Sequence, residues 1–193
     1  MMSITSFLNN KGFHIFEGYS QQVSGQVKDL IEITQNGKIN MMEIGFNAGH
    51  SAEIFLQNNP ELSLTSFDLG SHDYVLTAKE YIDNTFPDRH TLILGDSRST
   101  VPLFVYKNPN TKFDVIFIDG AHDYDIAKKD IENCFHLAHK DTIIIMDDTV
   151  YTSGWNPGPA KVWMEKIEQK NVVEIKRKDY IPGRGMSWGK FLL

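Results

Sequence analysis

Short runs of branched and aromatic residues alternate with longer stretches of helical periodicity along most of the chain. The pattern predicts strands at 41–44, 64–67, 90–94, 113–118 and 142–146, and helices at 51–58, 75–86 and 126–139. Such alternation is typical of a parallel, doubly wound sheet. The strands at 113–118 and 142–146 are apolar almost throughout, which is expected of central strands that helices cover on both faces.

The C-terminal part of the chain departs from this alternation. A helix is expected at about 160–169, followed by two strands at 172–179 and 186–192. The segment 181–185, Ile-Pro-Gly-Arg-Gly, has turn chemistry, so these strands are expected to form an antiparallel hairpin at the sheet edge. No repeat or linker interrupts the order. We therefore expect one α/β domain over 1–193, with a Rossmann-like, doubly wound, seven-stranded sheet that is mostly parallel.

Composition narrows the classes of partner. A net charge of −6 and a pI near 5.6 argue against a nucleic-acid surface, because phosphate binding needs a concentrated basic face. The single cysteine, Cys134, excludes an internal disulfide and fits a reducing compartment. The sequence shows no secretory signal pattern and no apolar run long enough to span a membrane. We expect a soluble, cytoplasmic protein without nucleic-acid or membrane partners.

The run from Met42 to Ser51, Met-Glu-Ile-Gly-Phe-Asn-Ala-Gly-His-Ser, reads as a strand end, a glycine turn and a helix start. Gly45 can adopt the positive φ of a sharp strand exit, and Gly49 lets a ligand or a neighbouring backbone come close. An acid two residues before the first glycine and the Gly-x-x-x-Gly spacing differ from the dinucleotide fingerprint. They favour an adenosine cofactor without a pyrophosphate, although a purely structural turn can also use two glycines.

Carboxylates follow all five predicted parallel strands, where open α/β sheets bind their ligands. They are Glu43, Asp68, Asp96, Asp119 and the pair Asp147 and Asp148. Asp68 is placed to accept hydrogen bonds from a ribose diol, and Asp96 with Ser97 to meet an adenine amino edge. Any one of these acids could instead be a helix cap. Their recurrence at five strand ends favours a ligand site.

Several motifs together carry a family resemblance, namely 43–51, Phe67-Asp68, Gly95-Asp-Ser97, 113–124, 145–148 and the closing Gly189-Lys-Phe191. The chain resembles the class I S-adenosylmethionine-dependent methyltransferases, specifically the small O-methyltransferases related to catechol, caffeoyl-CoA and macrolide-sugar enzymes. The resemblance implies S-adenosylmethionine as cofactor, with its ribose at Asp68 and its adenine at Asp96 and Ser97. It places the methionine end at Glu43, Gly45 and Ser51, and adds Asn47, Gly49 and Asp119 to the cofactor-binding residues.

The metal-dependent members of that family hold a divalent cation with one acid after the fourth strand and an acidic pair after the fifth. Asp119, Asp147 and Asp148 occupy these positions, and such hard oxygen ligands suit Mg²⁺ or Mn²⁺. The family also contains metal-free members, in which case these acids would orient the cofactor and cap helices. His122 stands where catechol and caffeoyl-CoA enzymes have a catalytic lysine. It is a candidate general base, with a metal or substrate ligand as the alternative.

Acceptor recognition is expected from the loop after the acidic pair and from the C-terminal edge. Tyr151, Trp155 and Asn156 could contact the acceptor, since aromatic faces stack on a catechol ring or on a sugar. Residues 184–188 are expected to approach from the sheet edge. The leading hypothesis is methylation of a hydroxyl of a small molecule. A sugar or nucleotide sugar is preferred because histidine replaces the usual lysine.

Three other hypotheses stay open at this point. The first is a catechol or phenol acceptor, and the second is a different donor chemistry on the same fold. The third is a non-catalytic partner subunit, against which the complete set of acids argues. A homodimer is left open.

Overall fold

The computed structural model describes residues 2–18, 20–35, 37–150 and 157–193. Its seven strands form a single sheet. They are β1 (Asn40–Ile44), β2 (Ser63–Asp68), β3 (His90–Leu94), β4 (Phe113–Ile118), β5 (Ala138–Asp147), β6 (Val172–Ile181) and β7 (Arg184–Phe191).

The sheet has the strand order β3-β2-β1-β4-β5-β7-β6. Strands β1 to β5 are mutually parallel, whereas β7 lies antiparallel to both β5 and β6. The predicted fold class, with its antiparallel C-terminal hairpin, is confirmed. Strand order reverses between β1 and β4, so the carboxyl ends of these two strands form the crevice where this fold binds ligands.

Seven α-helices are seen in the described residues, and the sequence pattern indicated only four of them. They are α1 (Ile4–Asn10), α2 (Ser24–Thr34), α3 (His50–Asn58), α4 (Val75–Thr85), α5 (Ser97–Lys107), α6 (Tyr124–Cys134) and α7 (Pro157–Glu168). The sequence pattern missed α1, α2 and α5. In α5 the apolar stripe is weak, because Pro102 interrupts the pattern and Leu103 and Tyr106 are exposed.

The predicted helix at 126–139 is too long at its C-terminal end. Helix α6 ends at Cys134, a 3₁₀ turn follows over Phe135–Leu137, and β5 already begins at Ala138. Ala138 pairs with Phe113 of β4, so sheet pairing takes over a segment whose apolar residues also fit a helical stripe.

The helices cover both faces of the sheet and give two apolar cores. On one face, side chains of α1 to α4 pack against the sheet around Phe55 and Phe117. On the other face, side chains of α5, α6 and α7 surround Ile116 and Trp163. The two layers fix the strand ends in place. None of the helices that the structure describes has the length and apolarity needed to cross a membrane.

The N-terminal segment is tied to the body of the protein through the buried carboxylate of Glu53. Its Oε1 accepts hydrogen bonds from the Ile4 amide at 2.8 Å and the Tyr81 hydroxyl at 2.6 Å. Its Oε2 accepts from Gln21 Nε2 at 2.7 Å. One side chain of α3 therefore fixes both α1 and the segment before α2, which is how Glu17 and Gly18 come to border the crevice.

Candidate active site

A cavity of about 660 Å³ lies at the carboxyl ends of strands β1 to β5. Its wall is assembled from seven segments of the chain that are separated in sequence. The residues that line it with polar side chains are Glu17, Asn47, Asp68, Ser71, His72, Asp96, Ser97, Arg98, Asp119, His122, Asp148 and Arg184. Four of the five predicted strand-end acid positions therefore contribute a carboxylate to one cavity.

The turn after β1 requires glycine because two strand ends meet there. Gly45 has φ 98°, and a Cβ at this position would lie 1.9 Å from the carbonyl oxygen of Asp119. Its amide donates to the Phe67 carbonyl at 2.8 Å. Gly45 thus lets β1 and β4 end side by side at the cavity. Gly49 has another role, since its φ is 74° and a Cβ there would lie 2.8 Å from Ile4 of α1.

Glu43 and Ser51 are bonded to each other and do not line the cavity. The Ser51 hydroxyl donates to Glu43 Oε2 and the Ser66 hydroxyl to Oε1, both at 2.7 Å. Burial raises the pKa of Glu43 to about 7, and the two serine hydrogen bonds oppose this shift. These residues support the turn from inside, and the predicted contact with a methionine end remains a prediction.

Asp68 presents a carboxylate to the cavity in a fixed orientation. Its Oδ2 accepts from the Asn47 amide at 2.8 Å and its Oδ1 from the Gly70 amide at 2.7 Å. Asn47 has φ 49° and is held by the Tyr74 hydroxyl, which donates to its Oδ1 at 2.7 Å. Each Asp68 oxygen keeps a further acceptor position, so the two together can accept from a vicinal diol.

Asp96 and Ser97 lie on the cavity wall at the start of α5. Asp96 also caps this helix, accepting from the Arg98 amide at 2.9 Å, and pairs with the Arg98 guanidinium at 2.6 Å. Asp96 is therefore a helix cap, as the alternative interpretation predicted, and it also lines the cavity. The Ser97 hydroxyl donates to Asp130 Oδ1 at 2.7 Å, which joins α5 to α6.

Asp130 gives the protein a pH-dependent stability. Its side chain is buried, and this burial raises its pKa from 3.8 to about 6 despite the Ser97 hydrogen bond. Since the folded state holds the proton more tightly than the unfolded state, stability is lost as the pH rises through this range. The test is the difference in unfolding free energy between wild type and Asp130→Asn, measured by urea titration at pH 4 and at pH 8. We expect wild type to lose about 2 kcal/mol relative to the variant over this range. A constant difference would contradict a buried, titrating Asp130.

Three carboxylates meet at the ends of β4 and β5. One oxygen from each of Asp119, Asp147 and Asp148 lies within 4.8 Å of the others. Burial raises the pKa of Asp119 well above its usual value, and the charges of Asp147 and Asp148 add to it, whereas Arg184 opposes it. For Asp147, burial and the Asp148 charge raise the pKa to about 7. Three carboxylates this close together, two of them buried, form a cluster that a positive charge would stabilise.

The donor set of this cluster fits a hard divalent cation. Gln26 Nε2 of α2 donates to both Asp147 oxygens at 2.8 Å and so fixes that carboxylate. Asp148 has φ 55°, and its buried Oδ1 has no hydrogen-bond partner among the described residues. Three carboxylates with an unsatisfied oxygen suit Mg²⁺ or Mn²⁺, whose remaining positions water or a substrate oxygen can fill.

His122 stands beside the acid cluster and lines the cavity. Its Nε2 lies 2.7 Å from Asp148 Oδ2, and the imidazole is 38% exposed. This hydrogen bond raises the pKa of His122, and burial opposes the shift. The carboxylate therefore orients the ring and increases its basicity, as expected of a proton acceptor that is held in one position.

Several residues that line the cavity or hold its lining residues in place carried no signal in the sequence. Gln26, Glu17 and Asp130 belong to segments whose position over or beside the cavity depends on tertiary packing. Arg184 was expected only as part of an edge segment. The predicted acceptor contacts Tyr151, Trp155 and Asn156 lie outside the described residues, so their role stays a prediction.

Comparisons with known proteins agree with this geometry. A family model described as a methyltransferase domain matches residues 42–149, from β1 to the segment just after β5. The match spans the glycine turn, Asp68, Asp96, His122 and the acid cluster. No curated protein sequence matches the chain significantly.

Solved structures share the fold over most of their length. An O-methyltransferase from Bacillus cereus, solved with S-adenosylhomocysteine (SAH), has a TM-score of 0.69 at 18% identity, covering 86% of this chain and 81% of that one. CalS11, a TDP-rhamnose 3′-O-methyltransferase of calicheamicin biosynthesis, has a TM-score of 0.67 at 21% identity, covering 88% and 81%.

TomG, an O-methyltransferase of tomaymycin synthesis from Streptomyces achromogenes solved with S-adenosylmethionine, has a TM-score of 0.72 at 13% identity, covering 97% and 87%. At these identities the structural likeness establishes the fold, whereas the family model covers more than half of the chain. The chain therefore belongs to the methyltransferase domain family, and it has the fold of the class I S-adenosylmethionine-dependent O-methyltransferases.

Proposed function

We propose that this protein transfers the methyl group of S-adenosylmethionine to a hydroxyl of a small molecule, with His122 as general base and a divalent cation at Asp119, Asp147 and Asp148. One observation carries the proposal. A single cavity is lined at one end by the Asp68 carboxylate, which two backbone amides orient, and at the other by His122 beside an acid cluster. These two ends match a nucleoside-linked donor and a hydroxyl acceptor.

The cofactor half follows from the fixed groups after β1, β2 and β3. The ribose hydroxyls would donate to Asp68, whose carboxylate is already oriented by two backbone amides. The adenine would lie toward Asp96 and Ser97, at the N-terminus of α5. Gly45 lets the ends of β1 and β4 lie side by side, so the turn that would receive the methionine end directly borders Asp119.

The acceptor half follows from His122 and Asp148. The acceptor oxygen attacks the sulfonium methyl, an O–C bond forms as the C–S bond breaks, and the sulfur keeps the electron pair. The His122 imidazole takes the hydroxyl proton, and Asp148 stabilises the resulting imidazolium through its hydrogen bond. Holding the reacting atoms close and in line supplies much of the acceleration, on the order of 7–11 kcal/mol.

Asp119, Asp147 and Asp148 would hold the cation. When bound, it supplies Lewis-acid polarisation of the acceptor hydroxyl. The chain's own contribution is to keep one oxygen of each of the three carboxylates within 4.8 Å of the others. The Gln26 amide group fixes the Asp147 carboxylate. The unsatisfied Oδ1 of Asp148 supports this role, while its Oδ2 serves His122.

A sugar or nucleotide sugar is the acceptor class that we propose. Histidine in place of a lysine at position 122 supports it, and so does the likeness to CalS11, which is described as a sugar methyltransferase. A catechol or phenol is the second candidate, and the acid cluster by itself suits both.

A direct comparison of acceptors tests this proposal. SAH release is measured with TDP-rhamnose and with catechol, each with Mg²⁺ and with EDTA. We expect turnover of the sugar nucleotide that falls at least about tenfold in EDTA, since metal polarisation contributes several kcal/mol. Preference for catechol would move the acceptor to the phenol class, and EDTA-insensitive turnover would contradict the metal role. Binding of SAH without turnover of any hydroxyl compound would favour a non-catalytic partner subunit.

A further inference from the structure

We propose that Arg184 binds an anionic group of the acceptor, a carboxylate or a phosphate, at the end of the cavity opposite Asp68. This inference rests on the proposed function and narrows the acceptor to molecules that carry such a group beside the reacting hydroxyl. Three features of Arg184 support it, namely its position, its lack of an ion pair and the space that the chain keeps open for it.

The C-terminal hairpin places Arg184 next to the acid cluster. Arg184 is the first residue of β7, and two residues later Met186 pairs with Asp147 of β5. Gly185 fixes the chain here, since its carbonyl accepts from the Thr149 amide at 3.2 Å and a Cβ would lie 2.8 Å from Val150. The arginine therefore lines the same cavity as Asp148 and His122.

Arg184 is half-buried, yet among the described residues no carboxylate forms an ion pair with it. Every Asp and Glu of the chain belongs to the described residues. Its Nε is buried and has no hydrogen-bond acceptor among them. A buried guanidinium N–H without an acceptor is costly, and a ligand oxyanion would satisfy it.

The second arginine of the cavity wall provides a contrast within the same site. Arg98 is already neutralised, because its Nε and Nη2 both bond to the Asp96 carboxylate. Asp96 and Arg98 thus form a closed pair at the adenine end. Of the two arginines on this wall, Arg184 is the one without a close ion pair among the described residues, although its charge acts on Asp119 and Asp147 at longer range.

Gly18 keeps room for the Arg184 guanidinium. A Cβ at position 18 would lie 2.8 Å from Arg184 Nη1, so a side chain there would displace the guanidinium. Gly18 itself lines the cavity. At Gly18 no side chain competes with the guanidinium for this space, and its planar donor fork suits two-point contact with a carboxylate or phosphate.

Binding of inorganic phosphate tests the inference without an identified acceptor. Phosphate is titrated, at constant ionic strength, into protein saturated with SAH and Mg²⁺, and the Arg184 Nε–H resonance is followed by NMR. We expect wild type to bind phosphate saturably and Arg184→Gln to bind it at least tenfold more weakly. Arg184→Lys should lose less phosphate affinity than Arg184→Gln, and Gly18→Ala should lose affinity severalfold. Arg177→Gln, at an exposed position of β6 that does not line the cavity, is the matched control and should keep phosphate affinity unchanged.

The cofactor's own carboxylate is the competing source of the anion. A second titration therefore replaces SAH with methylthioadenosine, which lacks the amino-acid part. Phosphate binding at Arg184 in both complexes supports the acceptor assignment. Binding in the methylthioadenosine complex alone would assign Arg184 to the cofactor, and absence of binding, or equal binding in Arg184→Gln, would overturn the inference. Loss of SAH binding by wild type would instead contradict the proposed function.

Discussion

Replacing His122 with glutamine is expected to lower kcat by about 10²–10⁴-fold while leaving SAH affinity unchanged. The imidazole lies in the cavity wall, and its Nε2 is held 2.7 Å from Asp148 Oδ2. Glutamine can occupy this space and hydrogen-bond to Asp148, but it cannot take a proton. The loss should therefore appear in the chemical step, measured as kcat with an acceptor that wild type methylates.

His136→Gln is the control for this substitution, because His136 is exposed in the 3₁₀ turn before β5 and lies off the cavity wall.

Asp148→Asn should also lower kcat. Compared with a carboxylate, an amide does less to increase the basicity of His122 and to stabilise its protonated form. Wild-type kcat in His122→Gln would contradict the base role. An equal loss of SAH affinity would make His122 a binding residue.

Gly45→Ala is expected to lower the unfolding free energy by about 3–5 kcal/mol, enough to prevent stable folding in many domains of this size. Two costs add. A positive φ costs a non-glycine residue roughly 1–2 kcal/mol, and the new Cβ would lie 1.9 Å from the Asp119 carbonyl oxygen. Because that oxygen belongs to backbone at the end of β4, relief requires the two strand ends to separate.

Gly12→Ala separates these two costs. Gly12 has φ 94°, close to the 98° of Gly45, but a Cβ there would meet nothing within 4 Å. It should lose only the backbone cost, about 1–2 kcal/mol, in the same urea titration. Equal destabilisation of the two variants would show that the close approach of β1 and β4 does not contribute to the loss of stability in Gly45→Ala.

The fold was predictable because its strongest signals are local. The apolar runs that became β4 and β5 identified central strands, and the turn residues before Arg184 identified the hairpin. Gly45 and the acids after the strands were found because parallel strands bring their carboxyl ends together. The β5 start at Ala138 was not predictable, since its pairing with Phe113 outweighs a helical periodicity that continues beyond Cys134.

The remaining parts of the site depend on packing between distant segments. Gln26 bonds to Asp147 across 121 positions of sequence, and nothing near Gln26 marks it as a site residue. The missing ion pair of Arg184 is likewise a property of the assembled wall. Glu43 and Ser51 show the opposite case. Their motif is readable in the sequence, yet in the structure they bond to each other and stay off the cavity wall.

Calorimetric titration of SAH into wild type and Asp68→Ala is the most direct test of the central claim that this cavity binds S-adenosylmethionine. Asp141→Ala, an exposed carboxylate near the start of β5, is the control. We expect wild type and the control to bind alike and Asp68→Ala to bind roughly 10–100-fold more weakly, since hydrogen bonds to a charged group contribute about 1.5–3 kcal/mol. Absence of SAH binding by wild type, with and without Mg²⁺, would contradict the account.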